Sequence, residues 1–241
     1  MGLSLDVLEA GPVYGPASGG GVPGAVVGHG AEGPGAGWSH RFAAILAAHG
    51  MRALPVAHGG GDIFGAGRIE GVDLRMIPEA GRDLAAHGRC SWRVRLFGWS
   101  KGGEAPLLVA ALAPAPFSCV AAHAAPRRRT AAFDPAAFRA GGGIARVPDA
   151  PRALVWAGHE GDLVPGRPIP LERAVVPLFL SSGTADEVVP HADTRDMARR
   201  LEAAGRPADL FVAEGQGHGL DVHVEPALWA WLAAFLGRHL G

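Results

Sequence analysis

Ser100, Asp186 and His218 are the residues of this 241-residue chain whose types and spacing could do chemistry. Ser100 lies in Gly-Trp-Ser-Lys-Gly-Gly, between an apolar run and a small-residue stretch typical of a helix. Asp186 follows the run PLFLSSG, and His218 follows the run ADLFVAEG. A serine hydroxyl becomes an effective nucleophile when an imidazole takes its proton, and a carboxylate orients that imidazole. The three residues therefore predict a nucleophile, an acid that orients the base, and a base, in that order.

Strands and helices must alternate along the chain to position these residues. The predicted strands are 24–30, 51–61, 94–98, 117–123, 153–158, 177–183 and 208–215, and the predicted helices are 38–50, 71–88, 102–113, 191–205 and 226–240. Pro106 is expected in the first turn of its helix, where proline is tolerated. Nearly continuous apolar strands indicate an α/β fold in one domain over residues 1–241, with a mostly parallel sheet and helices on both faces.

The carboxyl ends of parallel strands form the rim on which sites are built, so Ser100, Asp186 and His218 are expected to meet there. Ser100 would occupy a sharp strand-to-helix turn that lifts its hydroxyl above the sheet, and the surrounding glycines would make room for that turn. Two alternatives stay open for the partners. Glu187 is a rival acid, and His223 is a rival base. Asp186 could also cap the helix that begins near residue 191.

Backbone donors for a developing oxyanion are predicted in two places. The glycine-rich turn VVGHGAEG offers the N–H of Ala31, with Glu32 as a substitute, and the residue after the nucleophile offers the N–H of Lys101. One such donor contributes about 3 to 4 kcal/mol of transition-state stabilisation in enzymes where it has been removed.

Substrate contacts are predicted less directly. His58 follows a strand near the site, and Phe64, Trp99 and Trp156 are candidates for an acyl pocket. Core packing is an equal alternative for the two tryptophans. The irregular stretch 124–176 interrupts the strand–helix alternation and is a candidate cap or substrate-facing insertion.

Composition excludes several classes of function. The net charge is −1 with scattered basic residues, so no nucleic-acid partner is expected. Membrane spans need roughly 18 apolar residues in a row, which the sequence lacks, and no secretion signal is visible, so the expected compartment is the cytoplasm. Two cysteines and no metal-ligand spacing predict no disulfide framework, no metal and no cofactor. The oligomeric state is left open.

A family resemblance adds to these patterns. FGWSKGGEAPLLVA, and later PGRPIPLERAVVPLFLSSGTADEVVP, resemble the catalytic domain of the acyl-CoA thioesterase and bile-acid-CoA:amino-acid N-acyltransferase family. The chain is also similar to dienelactone-hydrolase-like enzymes. The resemblance implies an α/β-hydrolase fold with Ser100 as nucleophile, His218 as base and Asp186 as orienting acid. The transferases usually carry cysteine as nucleophile, so serine here favours hydrolysis over transfer.

The sequence therefore predicts a serine hydrolase that cleaves a small-molecule ester or thioester through an acyl-enzyme. An acyltransferase or cyclase would use the same residues, and a dienelactone-hydrolase-like esterase or lactonase is a further alternative. The non-enzymatic alternative is a small-molecule receptor on a hydrolase scaffold. Thioesterase-type members of the family carry an N-terminal immunoglobulin-like domain, whereas about 20 residues precede the similar region here.

Overall fold

The computed structural model describes residues 2–33, 37–57, 68–134 and 151–239. The strands within them are β1 Leu3–Leu8, β2 Gly11–Pro16, β3 Val22–Gly28, β4 Arg52–Val56, β5 Val72–Asp73, β6 Cys90–Trp99, β7 Phe117–His123, β8 Leu154–Val155, β9 Leu178–Gly183 and β10 Asp209–Ala213. The helices are α1 Trp38–Ala48, α2 Met76–Ala86, α3 Lys101–Leu112, α4 His191–Ala203 and α5 Glu225–Arg238. Each predicted strand and helix has a counterpart with shifted ends; the last residues of the predicted strand 51–61 lie outside the described residues, and the start of the predicted helix 71–88 forms β5 instead.

Eight strands form one sheet in the order β1-β2-β4-β3-β6-β7-β9-β10. All neighbours from β4 to β10 are parallel, and only the pairs that involve β1 or β2 are antiparallel. The predicted mostly parallel sheet is confirmed. The carboxyl ends of β3, β6, β7, β9 and β10 consequently lie along one edge, which is where the candidate residues fall.

Helices cover the sheet on both faces because each presents an apolar stripe to it. Residues of α2, α3 and α4 belong to one buried cluster, and residues of α1 and α5 belong to the other. The two clusters share no residue, since the sheet separates them. Burial on both faces explains why the central strands read as continuous apolar runs rather than as alternating ones.

The antiparallel hairpin β1–β2 was not predicted. Its outer strand alternates in sequence, but the apolar residues Leu3, Leu5 and Val7 are the exposed ones, at 51%, 61% and 78%. The polar residues between them face inward for specific partners. Ser4 donates to the backbone carbonyl of Pro16 at 3.1 Å, and Asp6 pairs with the buried Arg52 at 2.5 Å.

Helix α3 begins at Lys101, directly after Ser100, so the expectation for Pro106 is wrong. Pro106 is the sixth residue of the helix and lies beyond its first turn. Proline at this position removes one i→i−4 hydrogen bond from the helix. The carbonyl that it leaves without this donor belongs to Gly102, next to the candidate nucleophile.

The described part of the stretch 124–176 packs against the body of the protein. Its short strand β8 pairs with β5, and Leu163, Ile169 and Leu171 are buried in the same cluster as α3. Two short 3₁₀ turns, Glu160–Leu163 and Leu171–Arg173, complete it. Whether this stretch acts as a cap stays a prediction.

Both cysteines are free thiols. Cys119 is fully buried in β7, as expected, and burial raises its pKa to about 12. Cys90, at the start of β6, is half-buried, and burial raises its pKa to about 11. Neither thiol is therefore a thiolate at neutral pH.

Among the described residues, no helix is long and apolar enough to cross a membrane.

Candidate active site

Ser100 sits at a strained turn between β6 and α3. Its backbone has φ 58° and ψ −129°, a conformation that L-residues other than glycine rarely adopt. The strain is held by hydrogen bonds on both sides. The N–H of Ser100 donates to the carbonyl of His123, and the carbonyl of Ser100 accepts from the N–H of Gly103, each at 2.8 Å. Such strain costs about 1 to 3 kcal/mol and persists where surrounding structure fixes it, commonly at functional sites.

Glycines make the turn possible because backbone atoms crowd around it. A Cβ added at Gly98 would clash with the carbonyl of Gly102, and a Cβ added at Gly102 would clash with the carbonyl of His29. The second contact places the first turn of α3 directly against the turn that follows β3. The expectation that side chains larger than glycine would not fit is confirmed at both positions.

Replacing Gly102 with alanine is expected to lower the free energy of unfolding by about 1 to 3 kcal/mol, since backbone atoms cannot move aside as a flexible side chain can. Urea unfolding of both proteins measures the loss. Gly237→Ala is the matched control: it lies in α5 with open space around its Cα, so alanine there is expected to stabilise by about 0.5 to 1 kcal/mol. Equal effects at the two glycines would contradict the packing described for Gly102.

Asp186 and His218 are in direct contact. Nδ1 of His218 lies 2.8 Å from Oδ2 of Asp186, whose side chain is fully buried. The other carboxylate oxygen accepts the N–H groups of Val188 and Val189 at 2.8 and 2.9 Å. Burial by itself would raise the pKa of Asp186, but the hydrogen bond and charge of His218 and the two backbone donors outweigh it and hold that pKa below its usual value.

The rival assignments receive no such support. Glu187 is exposed, and His223 is exposed on the loop before α5. Asp186 does not cap α4, because the residue before that helix is Pro190 and the carboxylate is engaged with Val188, Val189 and His218.

The depressed pKa of Asp186 predicts a pH effect on stability. The ionised carboxylate stabilises the fold above the pKa of the unfolded chain, about 4, and this contribution is lost as the pH falls through the lower folded value. The difference in unfolding free energy between wild type and Asp186→Asn should therefore shrink from about pH 5 downward. Urea unfolding at steps of pH in this range tests it. A difference that stays constant would show that the carboxylate is not stabilised by its partners.

Within the described residues, no hydrogen bond joins the hydroxyl of Ser100 to His218 in this state, and the hydrogen bond of His218 is to Asp186. Contacts of this kind are often long in unliganded enzymes and shorten when substrate binds. Ser100 and Asp186 are 8% and 7% exposed, and the side chain of His218 is 22% exposed. Of these three residues, His218 is therefore the one most accessible to solvent.

The two segments with candidate oxyanion donors are in contact. Ala31 and Lys101 are each 2% exposed, and Gly102 packs on the carbonyl of His29. Glu32 turns its side chain back on the same loop, where Oε1 accepts the N–H of Gly30 at 2.8 Å. The geometry is compatible with paired donors, and their role stays a prediction.

The side chain of Lys101 forms a buried ion pair that was not predicted. Its Nζ lies 2.6 Å from Oε2 of Glu104, and both side chains are 1% exposed. Glu104 also accepts the N–H of Thr130 at 2.9 Å and its hydroxyl at 2.8 Å. Glu104 thus ties the first turn of α3 to the segment that leaves β7.

His123 is the second polar residue that sequence reasoning missed. It ends β7, is fully buried, and lies 2.9 Å through Nδ1 from Oγ of Ser181. A polar residue at the carboxyl end of an apolar strand is the signal that could have found it, since Ser100, Asp186 and His218 were found in the same way.

The predicted substrate contacts divide into two groups. Trp99 and Trp156 are each 9% exposed and belong to the buried clusters; Trp99 stacks on Phe42 with ring centroids 5.1 Å apart. His58 and Phe64 lie outside the described residues. Groups of histidine, cysteine or carboxylate side chains that could hold a metal ion do not occur in the described part of the chain.

Comparison by sequence finds no matching family model and no matching curated protein. Solved structures do match. The dipeptidyl peptidase 4 of Porphyromonas gingivalis superposes with TM-score 0.68 at 16% identity, covering 99% of this chain and 35% of that one. A puromycin-hydrolysing peptidase of Mycobacterium tuberculosis gives TM-score 0.68 at 20% identity, covering 99% and 39%. This chain thus spans well under half the length of these two peptidases.

A protein described as a dienelactone hydrolase, from Klebsiella pneumoniae, matches over nearly its whole length. Its TM-score is 0.67 at 17% identity, with 94% of this chain and 92% of that chain covered. The chain has the α/β-hydrolase fold. The expected fold and the similarity to dienelactone-hydrolase-like proteins are confirmed.

Proposed function

We propose that the chain is a serine hydrolase that cleaves a small-molecule ester or thioester through an acyl-enzyme on Ser100. The observation that carries this proposal is the strained positive-φ conformation of Ser100 at the sheet edge that also holds the His218–Asp186 pair. A nucleophile–base system needs two parts. The first is a serine at a strained strand-to-helix turn, and the second is a histidine that a buried carboxylate orients.

In the first half-reaction, Oγ of Ser100 attacks the acyl carbonyl while Nε2 of His218 takes the hydroxyl proton. Asp186 holds the proton of His218 on Nδ1, which leaves Nε2 as the accepting nitrogen, and stabilises the imidazolium that forms. The two backbone N–H groups that donate to Asp186 help to keep its carboxylate ionised.

The carbonyl oxygen becomes an oxyanion as Ser100 attacks. Its donors would be the N–H groups of Ala31 and Lys101, on segments that the close approach of Gly102 to His29 holds together. The imidazolium then protonates the leaving alcohol or thiol. In the second half-reaction His218 takes a proton from water, which attacks the acyl carbonyl, and the imidazolium then returns a proton to Oγ of Ser100 as the acid leaves.

Esters and thioesters are favoured over amides for two reasons. The sequence motifs around Ser100 resemble those of the acyl-CoA thioesterase family, and the dienelactone hydrolase match covers nearly all of both chains. The peptidase matches support the same fold in part of longer chains. Faster cleavage of an amide than of an ester or thioester would contradict this preference.

The test compares initial rates on an acyl-CoA thioester, the matched p-nitrophenyl ester and the matched p-nitroanilide. Labelling with a fluorophosphonate probe, followed by peptide mapping, reports the nucleophile without knowledge of the substrate. Turnover of ester or thioester with label on Ser100 is the expected result. Faster turnover of the anilide than of the ester and the thioester would indicate a peptidase instead. A product formed with an added amine acceptor would support acyl transfer. The receptor alternative would be supported if the probe labelled another residue or none, and if the protein bound a ligand without cleaving it.

A further inference from the structure

His123 lies beneath the proposed active site, between the strands that carry its parts. The register of the sheet pairs His123 with Trp99 on β6 and with Ser181 on β9. The ring is fully shielded from solvent, and the ring of Trp99 lies against it with centroids 3.9 Å apart. The carbonyl of His123 accepts the N–H of Ser100 at 2.8 Å. One buried residue thus contacts the peptide unit of the nucleophile.

The two ring nitrogens of His123 are used unequally. Nδ1 lies 2.9 Å from Oγ of Ser181. Nε2 is buried and forms no hydrogen bond of good geometry with a described residue in this state, although the backbone of His218 is near enough to raise the pKa of the ring. Buried polar groups without a hydrogen-bond partner are rare in folded proteins. The position of Nε2 near the proposed active site therefore suggests a functional role for it. If the Ser181 hydroxyl donates to Nδ1, the proton of the neutral ring is on Nε2.

The loop that carries His218 is the neighbour available to Nε2. This loop packs on the end of β9: the N–H of Ala185 donates to the carbonyl of Gln216 at 2.8 Å, and a Cβ added at Gly183 would clash with that carbonyl. Burial and, to a smaller extent, the charge of His218 lower the pKa of His123 to about 3, although Asp186 and the backbone of His218 act in the opposite direction. The ring of His123 is therefore close to His218 and uncharged at neutral pH.

We propose that His123 is a positioning residue for the catalytic base, donating its Nε2–H to the backbone carbonyl of His218 when that histidine approaches Ser100. This inference rests on the proposed function, because it requires His218 to be the base. The uncharged ring adds a hydrogen bond at the loop without adding a positive charge beside the imidazolium that forms on His218. A charged neighbour there would oppose that imidazolium.

The experiment compares His123→Phe, which keeps the ring volume and removes both nitrogens, with His123→Gln, whose amide N–H can reach the position of Nε2. Four quantities are measured: kcat and KM on the p-nitrophenyl ester, the rate of fluorophosphonate labelling, and the low-field proton resonance of the His218–Asp186 hydrogen bond. His123→Phe is expected to lower kcat and the labelling rate about 10- to 100-fold with KM unchanged, because a small displacement of the base has effects of this size. Its low-field resonance should shift or broaden, and His123→Gln should recover most of the rate.

Ser181→Ala provides a second variant if His123→Phe does not fold. It removes the hydroxyl that orients the ring and should lower the labelling rate several-fold. A His123→Phe protein with wild-type labelling rate and an unchanged resonance would overturn the inference, and so would a His123→Gln protein no more active than the Phe variant. Failure of the proposed function is distinguishable, because wild-type protein would then not label at Ser100 at all.

Discussion

Ser100→Ala is expected to reduce kcat by about 10⁶-fold on any ester or thioester that the chain turns over, the scale seen when the nucleophile of such a system is removed. The loss has a simple physical cause, since Ser100 provides the hydroxyl at the strained turn and alanine leaves no group there to form the acyl-enzyme. Steady-state rates with the matched p-nitrophenyl ester measure it. Ser91→Ala, at the opposite end of β6, is the control and should keep wild-type activity.

The same substitution tests whether Ser100 and His218 act as a unit. Since each needs the other, the double variant Ser100→Ala/His218→Ala should be about as slow as either single variant. Additive losses would show two independent contributions and would contradict the acyl-enzyme mechanism. Ser100→Gly adds a structural check: it should be equally inactive but more stable than the alanine variant by about 1 kcal/mol, because glycine adopts positive φ without strain.

Glu104→Gln is expected to lower the free energy of unfolding by about 3 to 5 kcal/mol, because it leaves the ammonium of Lys101 buried without its partner. Glutamine keeps one oxygen to accept the N–H of Thr130, and its new amide nitrogen can donate to the Thr130 hydroxyl, so the loss reports on the ion pair rather than on that segment. Burial already lowers the pKa of Lys101. The loss should therefore be smaller at pH 9 than at pH 6, as the lysine sheds its proton in the folded state.

A double-mutant cycle completes this test. Lys101→Met alone should also destabilise, whereas Lys101→Met/Glu104→Gln should recover most of the loss, since a neutral pair of similar volume needs no compensating charge. Urea unfolding gives all four free energies. If the double variant lost the sum of both single losses, the two side chains would not be coupled, and the contact described between them would be wrong.

The positions of Ser100, Asp186 and His218 could be predicted because each follows an apolar run that ends in glycine or small residues. A buried parallel strand appears in the sequence as such an apolar run, and its carboxyl end lies at the edge of the sheet where sites are built. The hairpin β1–β2 could have been found from the alternation of Leu3, Leu5 and Val7. The pattern would have misled about its orientation, because Asp6 faces inward to Arg52 and the apolar residues face out.

The contacts around the site could not be predicted in the same way. The partners of Glu104 and His123 come from other elements: Thr130 is 26 residues from Glu104, and Ser181 is 58 residues from His123. No local period links such residues, so their pairing depends on the sheet register and on side-chain packing. The expected position of Pro106 in the first turn of α3 was wrong for a similar reason. The turn at Ser100, rather than helix propensity, determines where α3 begins.

The two free thiols have a practical consequence for following motion at the site. Cys90 and Cys119 are the only cysteines of the chain; both are protonated at neutral pH, and Cys119 is buried while Cys90 is half-buried. A cysteine introduced at exposed Val222, four residues after His218, would therefore be the single thiol that reacts quickly with a maleimide dye. A dye can therefore be attached at one position without first replacing a native cysteine. Its fluorescence would then report movement of the loop that carries His218 during turnover.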